Sequence, residues 1–552
     1  LLLFSIIDKP FKPPIIENDY HYINYLKRKL IFLEIVYNEQ IQEIRQYFQD
    51  FSEEDITTLY QKAYREITRR IDQLSSFEDI GQDVIYEDER LVHEIQDSIR
   101  NLTLSYIQFE RDHQQHGHSY QNIFEFVEQE NITDVFFEQS VTEGHPFHPM
   151  TKTKLGFSID DVIKFSPEFR QTVNVIPLLC NKDFIDEINI YQSPALETFR
   201  KKVDTYCKEY GIKFENYALL FIHEWQLKHF LLPQFETCFE QQFMIPLHDL
   251  AVESSPLLSF RTLEARELNC IVKTAVNAQA TSAVRNVSPA SIRNGIILSD
   301  VVERIYRSNG YDNSYIQKDL AGSYLNINQS HANKCSFMLR SLIPEQKASH
   351  QLVCASLITD SFVTRKPILI ECIETIMQTQ DMSFDSATQL FLTEYTHNLL
   401  EATYRLLLEE GISLEAHMQN STVIIKDGMP ISIYIRDFGG VRLYERNIDI
   451  DDSTGLITDS FEDLLSVFSH AVLYNHLFQL IQVLATYGYD STKGYQIIRN
   501  MIADHHVNSA PDINILEQPT FKIKSLLKMR IYAEGYDYQY TNINNPLYME
   551  AK

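Results

Sequence analysis

Four short clusters in this chain of 552 residues carry side chains suited to one kind of chemistry. The first is Gly144-His145-Pro146-Phe147-His148-Pro149, with Lys152 and Lys154. The second is Ser259-Phe260-Arg261-Thr262, followed by Lys273, Thr281, Ser282 and Arg285. The third is Glu415-Ala416-His417-Met418-Gln419-Asn420, and the fourth is Arg436-Asp437-Phe438-Gly439-Gly440. Lys, Arg and His suit anionic oxygens, while carboxylates and amides suit a hard divalent cation. A magnesium–nucleotide complex needs both.

Asn420 and Asp437 lie before and after an expected hairpin, so an amide oxygen and a carboxylate can share a magnesium ion. Asp437-Phe438-Gly439 also reproduces a triplet that protein kinases use for this purpose. Glu415, His417 and Gln419 fall at every second position and would face one cavity from an extended segment. Arg261, Lys273 and Arg285 are spaced by twelve residues each time, as on successive strands. Arg grips phosphate in a fork and Lys acts as a point charge; Ser259, Thr262, Thr281 and Ser282 add hydroxyl donors. Prolines 146 and 149 hold His145 and His148 close together, where an imidazolium would donate to a phosphate or a developing oxyanion. His113, His116 and His118 are spaced like metal ligands, but their glutamine and glycine neighbours predict a solvated loop. Asp504-His505-His506 reads the same way.

The elements that must position these residues show in the periodicity. Residues 19–107 read as helix, with Ile23-Leu26-Leu30-Leu33-Val36 and Ile41-Ile44-Tyr47-Phe48 at three- and four-residue steps. Residues 131–299 are mixed, with strands expected at Val173–Leu179 and Ala218–Ile222. Residues 300–410 read mainly as helix. Thr422–Ile425, a Lys426-Asp427-Gly428 turn and Ile431–Ile435 predict a hairpin. The last hundred residues read as helix again.

A formal net charge of -27 disfavours nonspecific nucleic-acid or anionic-membrane binding. Any anionic substrate therefore needs a local cationic pocket, which screening beyond about 10 Å permits. Seven dispersed cysteines without a C-x-x-C pair predict free thiols in a reducing, cytoplasmic setting. No apolar run approaches about 18 residues. The apolar start Leu1–Ile7 reads as a chain entered mid-element and not as a secretion signal. Neither a P-loop nor a G-x-G-x-x-G motif follows a strand, and no G-x-S-x-G elbow is present.

In order and spacing the clusters resemble the aerobactin-synthetase-like family, the siderophore synthetases that work without a nonribosomal peptide synthetase. The matching elements are Gly144–Gly156, Ser259–Thr262, Lys273, Thr281–Arg285, Glu415–Asn420 and Arg436–Phe438, with Lys524, Arg530 and Asn545-Pro546-Leu547 in the tail. Lys154 stands where the family usually has Arg, Asn286 where Thr is common, and Glu224 replaces a proline. The resemblance implies a multidomain α+β protein shaped like a hand. Its parts would be a helical thumb (1–130), mixed α/β fingers (131–330) and an α+β palm (331–552), with ATP between fingers and palm. It implies adenylation of a carboxylate of citrate, a citryl intermediate or 2-oxoglutarate, followed by attack of an amine, hydroxylamine or alcohol that expels AMP. The implied ATP-contacting residues are His145, His148, Lys152, Lys154, Ser259, Arg261, Thr262, Lys273, Thr281, Ser282, Arg285, Gln419 and Asn420. Glu415, Asn420 and Asp437 would hold Mg2+, and Arg285, His417, Lys273 and His145 would serve the chemistry. A homodimer is implied by resemblance alone. A kinase-like phosphotransferase is the competing reading. It lacks a catalytic-loop Asp, since Glu415 and His417 occupy that stretch.

Overall fold

Helix formation begins where capping and periodicity agree. Ser52 caps Glu53–Ser75 in a reciprocal box with Asp55. Ile56, Leu59, Ala63, Ile67, Ile71 and Leu74 then form its buried stripe, packed against helix Glu89–His116. The computed structural model describes residues 34–78, 89–281, 283–444, 448–507, 514–531 and 539–548. The expected helical turns at Ile23–Leu33, the Leu1–Ile7 start and Ser282 lie outside them.

The loop expected at Asp112–His118 is instead the end of the second long helix, which runs to His116. Asp112 is buried in an ion pair with Arg170, and His113 Nδ1 meets the Phe362 carbonyl at 2.6 Å. Tertiary partners thus hold polar residues in helix. Among the described residues no cluster of three or more His, Cys, Asp and Glu able to hold a metal forms there or elsewhere.

The middle of the chain builds a nine-stranded antiparallel sheet. Its order is Ile185–Ile188, Asp319–Leu325, Ser336–Arg340, Cys270–Thr274, Thr262–Ala265, Val252–Pro256, Val173–Asn181 and Tyr217–His223, with Met244–Pro246 also on Val173–Asn181. Two of its strands lie in the stretch expected to be mainly helical. Asp319–Leu325 contains Ala321, Gly322 and Ser323, poor strand formers. A Cβ at Gly322 would sit 2.6 Å from the Phe337 carbonyl and 2.7 Å from Ile292, so helix Pro289–Asn309 packs against the sheet over this glycine. The strand Ser336–Arg340 lies beyond residue 330, where the fingers segment was expected to end. A small sheet, Lys154–Leu155, Val276–Ala280 and Ala283–Arg285, branches from the large one.

The C-terminal part centres on the expected hairpin, Ser421–Lys426 and Met429–Ile435. Asp427 (φ 51°) and Gly428 (φ 81°) close it, the paired positive φ of a two-residue turn that follows strand twist. His350–Val353 and Ser314–Ile316 flank the hairpin. Helix Phe461–Thr486 is long and apolar enough to cross a bilayer, yet its apolar window is wholly buried in protein, the setting of a core helix. The last hundred residues depart from all-helix at strands Thr520–Lys524 and Tyr540–Asn544. One continuous apolar core joins the long N-terminal helices, the large sheet and this helix through Ile99, Val175 and Leu473.

Candidate functional site

The large sheet and the hairpin meet at an ion pair. Lys273 Nζ donates to Asp437 Oδ2 at 2.6 Å. Lys273 sits on Cys270–Thr274 opposite Thr262 on one side and Met338 on the other. Asp437 follows the hairpin in left-handed backbone (φ 68°), a conformation Asp tolerates better than most residues. Burial lowers the Lys273 ammonium to about 8, with Asp437 opposing the fall. Burial raises the Asp437 carboxyl, but Lys273 and Arg340 outweigh it and hold the group well below the usual carboxylate range.

Two more cations lie within electrostatic reach. Arg261 is lowered to about 10 by burial and by Arg285, with Asp437 opposing. Arg285 is lowered by burial and likewise opposed by Asp437. A register shift between Val284 and Arg285 breaks the regular ladder, and Arg285 Nη2 donates to Thr281 Oγ1 at 2.7 Å. Thr281 itself is left-handed (φ 57°). Ser259 is placed by its carbonyl, which accepts from the buried Thr262 amide at 2.7 Å. Arg261 Nε and Arg340 Nη2 are buried without a partner among the described residues. Buried guanidinium donors are normally satisfied, so both point to an anion that completes the site.

The opposing wall bears out the every-second-residue pattern. Leu414, Ala416 and Met418 are buried in the core, while Glu415, His417 and Gln419 are half-buried. Glu415 Oε1 accepts from Lys524 Nζ at 2.7 Å. Burial raises its carboxyl, yet Lys524 and His417 bring it down to about 2. Asn420 Nδ2 donates to the Glu415 carbonyl at 3.1 Å. Gly440 leaves room for the Glu415 carboxylate, since a Cβ there would lie 1.9 Å from Glu415 Oε2. The His417 ring has no hydrogen-bond partner among the described residues. Burial keeps it neutral, with Glu415 opposing.

The histidine loop is seated from behind by Arg70, whose Nη1 donates to the carbonyls of His145 and His148. Both imidazoles use Nδ1 as an acceptor, His145 from the amides of Phe147 and His148, and His148 from that of Met150. Nε2–H is therefore the available donor. Burial and the charge of Arg285 bring His148 down to about 3. Burial together with His148 and His417 lowers His145 as well. The expected imidazolium pair is instead a pair of neutral donors, because desolvation and neighbouring cations disfavour the charge. Lys152 and Lys154 stand apart from the Asp437 group, their ammonium groups 3.2 and 3.6 Å from the buried Glu168.

Two participants escaped the sequence reading. Arg340 also pairs with Asp319 at 2.7 Å, and its signal was a lone charge ending the apolar strand Ser336–Arg340. His470 lies in a π-helical stretch, Ser469–Leu477, a geometry frequent at functional sites. Its Nδ1 accepts from the Lys524 amide at 3.1 Å, and no local pattern announced it.

Comparison with known proteins finds relatives over most of the chain. The profile described as IucA / IucC family matches residues 133–359. Staphyloferrin A synthase of Staphylococcus aureus (strain NCTC 8325 / PS 47) is 29% identical over 436 residues, covering 75% of this chain and 73% of the relative. Over residues 133–359 the chain is similar to the IucA / IucC family. D-ornithine–citrate ligase of the same strain is 25% identical over 479 residues, covering 78% of this chain and 72% of its own. ATP-bound aerobactin synthetase IucA from a hypervirulent pathotype of Klebsiella pneumoniae shares this chain's fold. Its TM-score is 0.69 at 16% identity, with 95% of this chain and 87% of that one covered. A second profile, described as Ferric iron reductase FhuF-like transporter, matches residues 389–539.

Proposed function

We propose that the protein is an ATP-dependent ligase that adenylates a carboxylate of citrate or a related acid and joins it to an amine, releasing pyrophosphate and AMP. The observation that carries this reading is the Lys273–Asp437 pair with Arg261, Arg285 and Arg340 gathered round it, two of these guanidinium groups holding unpartnered donors. Such a cluster suits a polyphosphate whose charge redistributes during attack at the α-phosphorus. Arg261, Lys273 and Arg285 would neutralise that charge, and Nε2–H of His145 or His148 would donate to a phosphate oxygen. His417, neutral and unpartnered, would orient the acid or take the proton of the attacking amine. Lys152 and Lys154 would act indirectly, by fixing the histidine loop through Glu168.

Magnesium fits the donor set. Asp437 Oδ1, Glu415 Oε2 and Asn420 Oδ1 have no partner among the described residues. One or two carboxylates completed by phosphate oxygens is the usual magnesium arrangement. When bound there, the ion would supply positive charge that offsets the repulsion among phosphate oxygens. The thumb, fingers and palm division, a homodimer and a cytoplasmic setting belong to the same reading. The relatives' names, which pair citrate with amines, support the substrate class.

The test is a panel of carboxylic acids incubated with ATP, scored for pyrophosphate release with and without diamines or amino acids. AMP as the nucleotide product is expected; ADP would instead make the protein a phosphotransferase.

A further inference from the structure

A cavity of about 640 Å3 lies beside the site, lined by Gln317, Glu264, Glu345 and Arg436 among others. It shares a sheet face with the proposed ATP site. Thr262 pairs with Lys273, and Glu264 pairs with Ile271; residues two apart on a strand point the same way, about 6.6 Å further along. The bidentate Arg436–Glu138 pair lines it as well, and Asp437 is the next residue. The cavity is thus a neighbour of the reacting centre, separated from it by one ion pair.

Its lining is rich in acceptors. Five carboxylates (Glu128, Asp134, Glu138, Glu264 and Glu345) face two guanidinium groups and one imidazole. Glu138 is matched by Arg436, Glu264 by Arg266, and Asp134 and Glu128 share His350. Glu345 is exposed and has no ion pair among the described residues. The independent observation is Gln317. It is 4% exposed, its Nε2 donates to the Ser341 carbonyl at 2.9 Å, and its Oε1 has no partner among the described residues. A buried acceptor left open at the wall of an acidic cavity requires a donor. An anion would meet repulsion there. Burial raises the Glu264 carboxyl, opposed by Arg266 and assisted by the charges of Glu138 and Glu345.

We infer that this cavity binds the amine co-substrate through a primary ammonium group of a di- or polyamine, holding one end while the other reaches past Arg436 towards the activated carbonyl. The inference rests on the ligase reading for the amine's fate, though not for its binding. The test is calorimetric titration of 1,4-diaminobutane into the full chain without ATP. It is repeated with Glu264→Gln/Glu345→Gln and with Glu345→Lys, a surface change that cannot fail by unfolding the core. Saturable binding by the parent protein, weakened at least ten-fold in both variants, is expected. In turnover, the ratio of the amine's KM to that of ATP should rise at least five-fold. Absence of saturable binding, or equal affinity in all three proteins, overturns the assignment. Pyrophosphate release failing with every acid would sink the ligase reading alone, because the titration still reports on the cavity.

Discussion

Arg285 is the residue on which most of the proposed chemistry converges: it reaches the Asp437 group, lowers His148 and is held by Thr281. A donor aimed at developing charge contributes on the order of 3 kcal/mol. Arg285→Ala should therefore lower kcat by roughly two decades or more, with an unaltered circular dichroism spectrum; unimpaired pyrophosphate release would refute the role. Lys273 supplies a pH signature. Its folded-state value is lowered to about 8, so the cation is present below that pH and lost above it. The kcat/KM for ATP should fall as pH rises through about 8, and Lys273→Arg should move or abolish that alkaline limb, since Arg stays charged. A limb identical in the variant would assign it elsewhere, Lys152 being the other ammonium brought down to about 8. At this scale the sequence showed which residue types were present but not their partners. The spacing of Lys152 and Lys154 gave no hint that both face Glu168, which sits on a short turn after Pro167.

The elements that deliver these residues divide into those with a periodic signal and those without. The hairpin was legible because β-branched runs flank Asp427-Gly428, and the 415–419 wall was legible because polar and apolar residues alternate. Strand Asp319–Leu325 was hidden by its alanine, glycine and serine, which give none of the β-branched or aromatic signal of a strand. The turn of the hairpin can be tested directly. A Cβ at Gly428 would lie 2.4 Å from the Cys372 carbonyl, in left-handed backbone. Gly428→Ala should cost about 1–3 kcal/mol from the collision alone. The signature is a lower urea midpoint at constant slope; an unchanged midpoint would mean the helix at Cys372 yields freely.

At the scale of the whole molecule, a chain of charge -27 keeps a cationic pocket by enclosing it between parts far apart in sequence. Lys273–Asp437 and Arg436–Glu138 link the hairpin to the large sheet and to the helix before the histidine loop. Of the two, Arg436–Glu138 is the deeper, both residues being at most 8% exposed. Arg436 also donates to the Gln419 carbonyl at 2.9 Å, and Glu138 accepts from the Leu258 amide at 3.1 Å. Removing one partner strands a buried charge, which costs roughly 3–5 kcal/mol, whereas replacing both by apolar groups is often neutral. Glu138→Ala should lower unfolding free energy by that amount, and Glu138→Leu/Arg436→Met should recover most of it. Denaturant titration of Glu138→Leu, Arg436→Met and the double variant forms a cycle that isolates the coupling. A double variant no more stable than the sum of its singles would show that the pair does not hold these parts together, and that the shared apolar core does so alone.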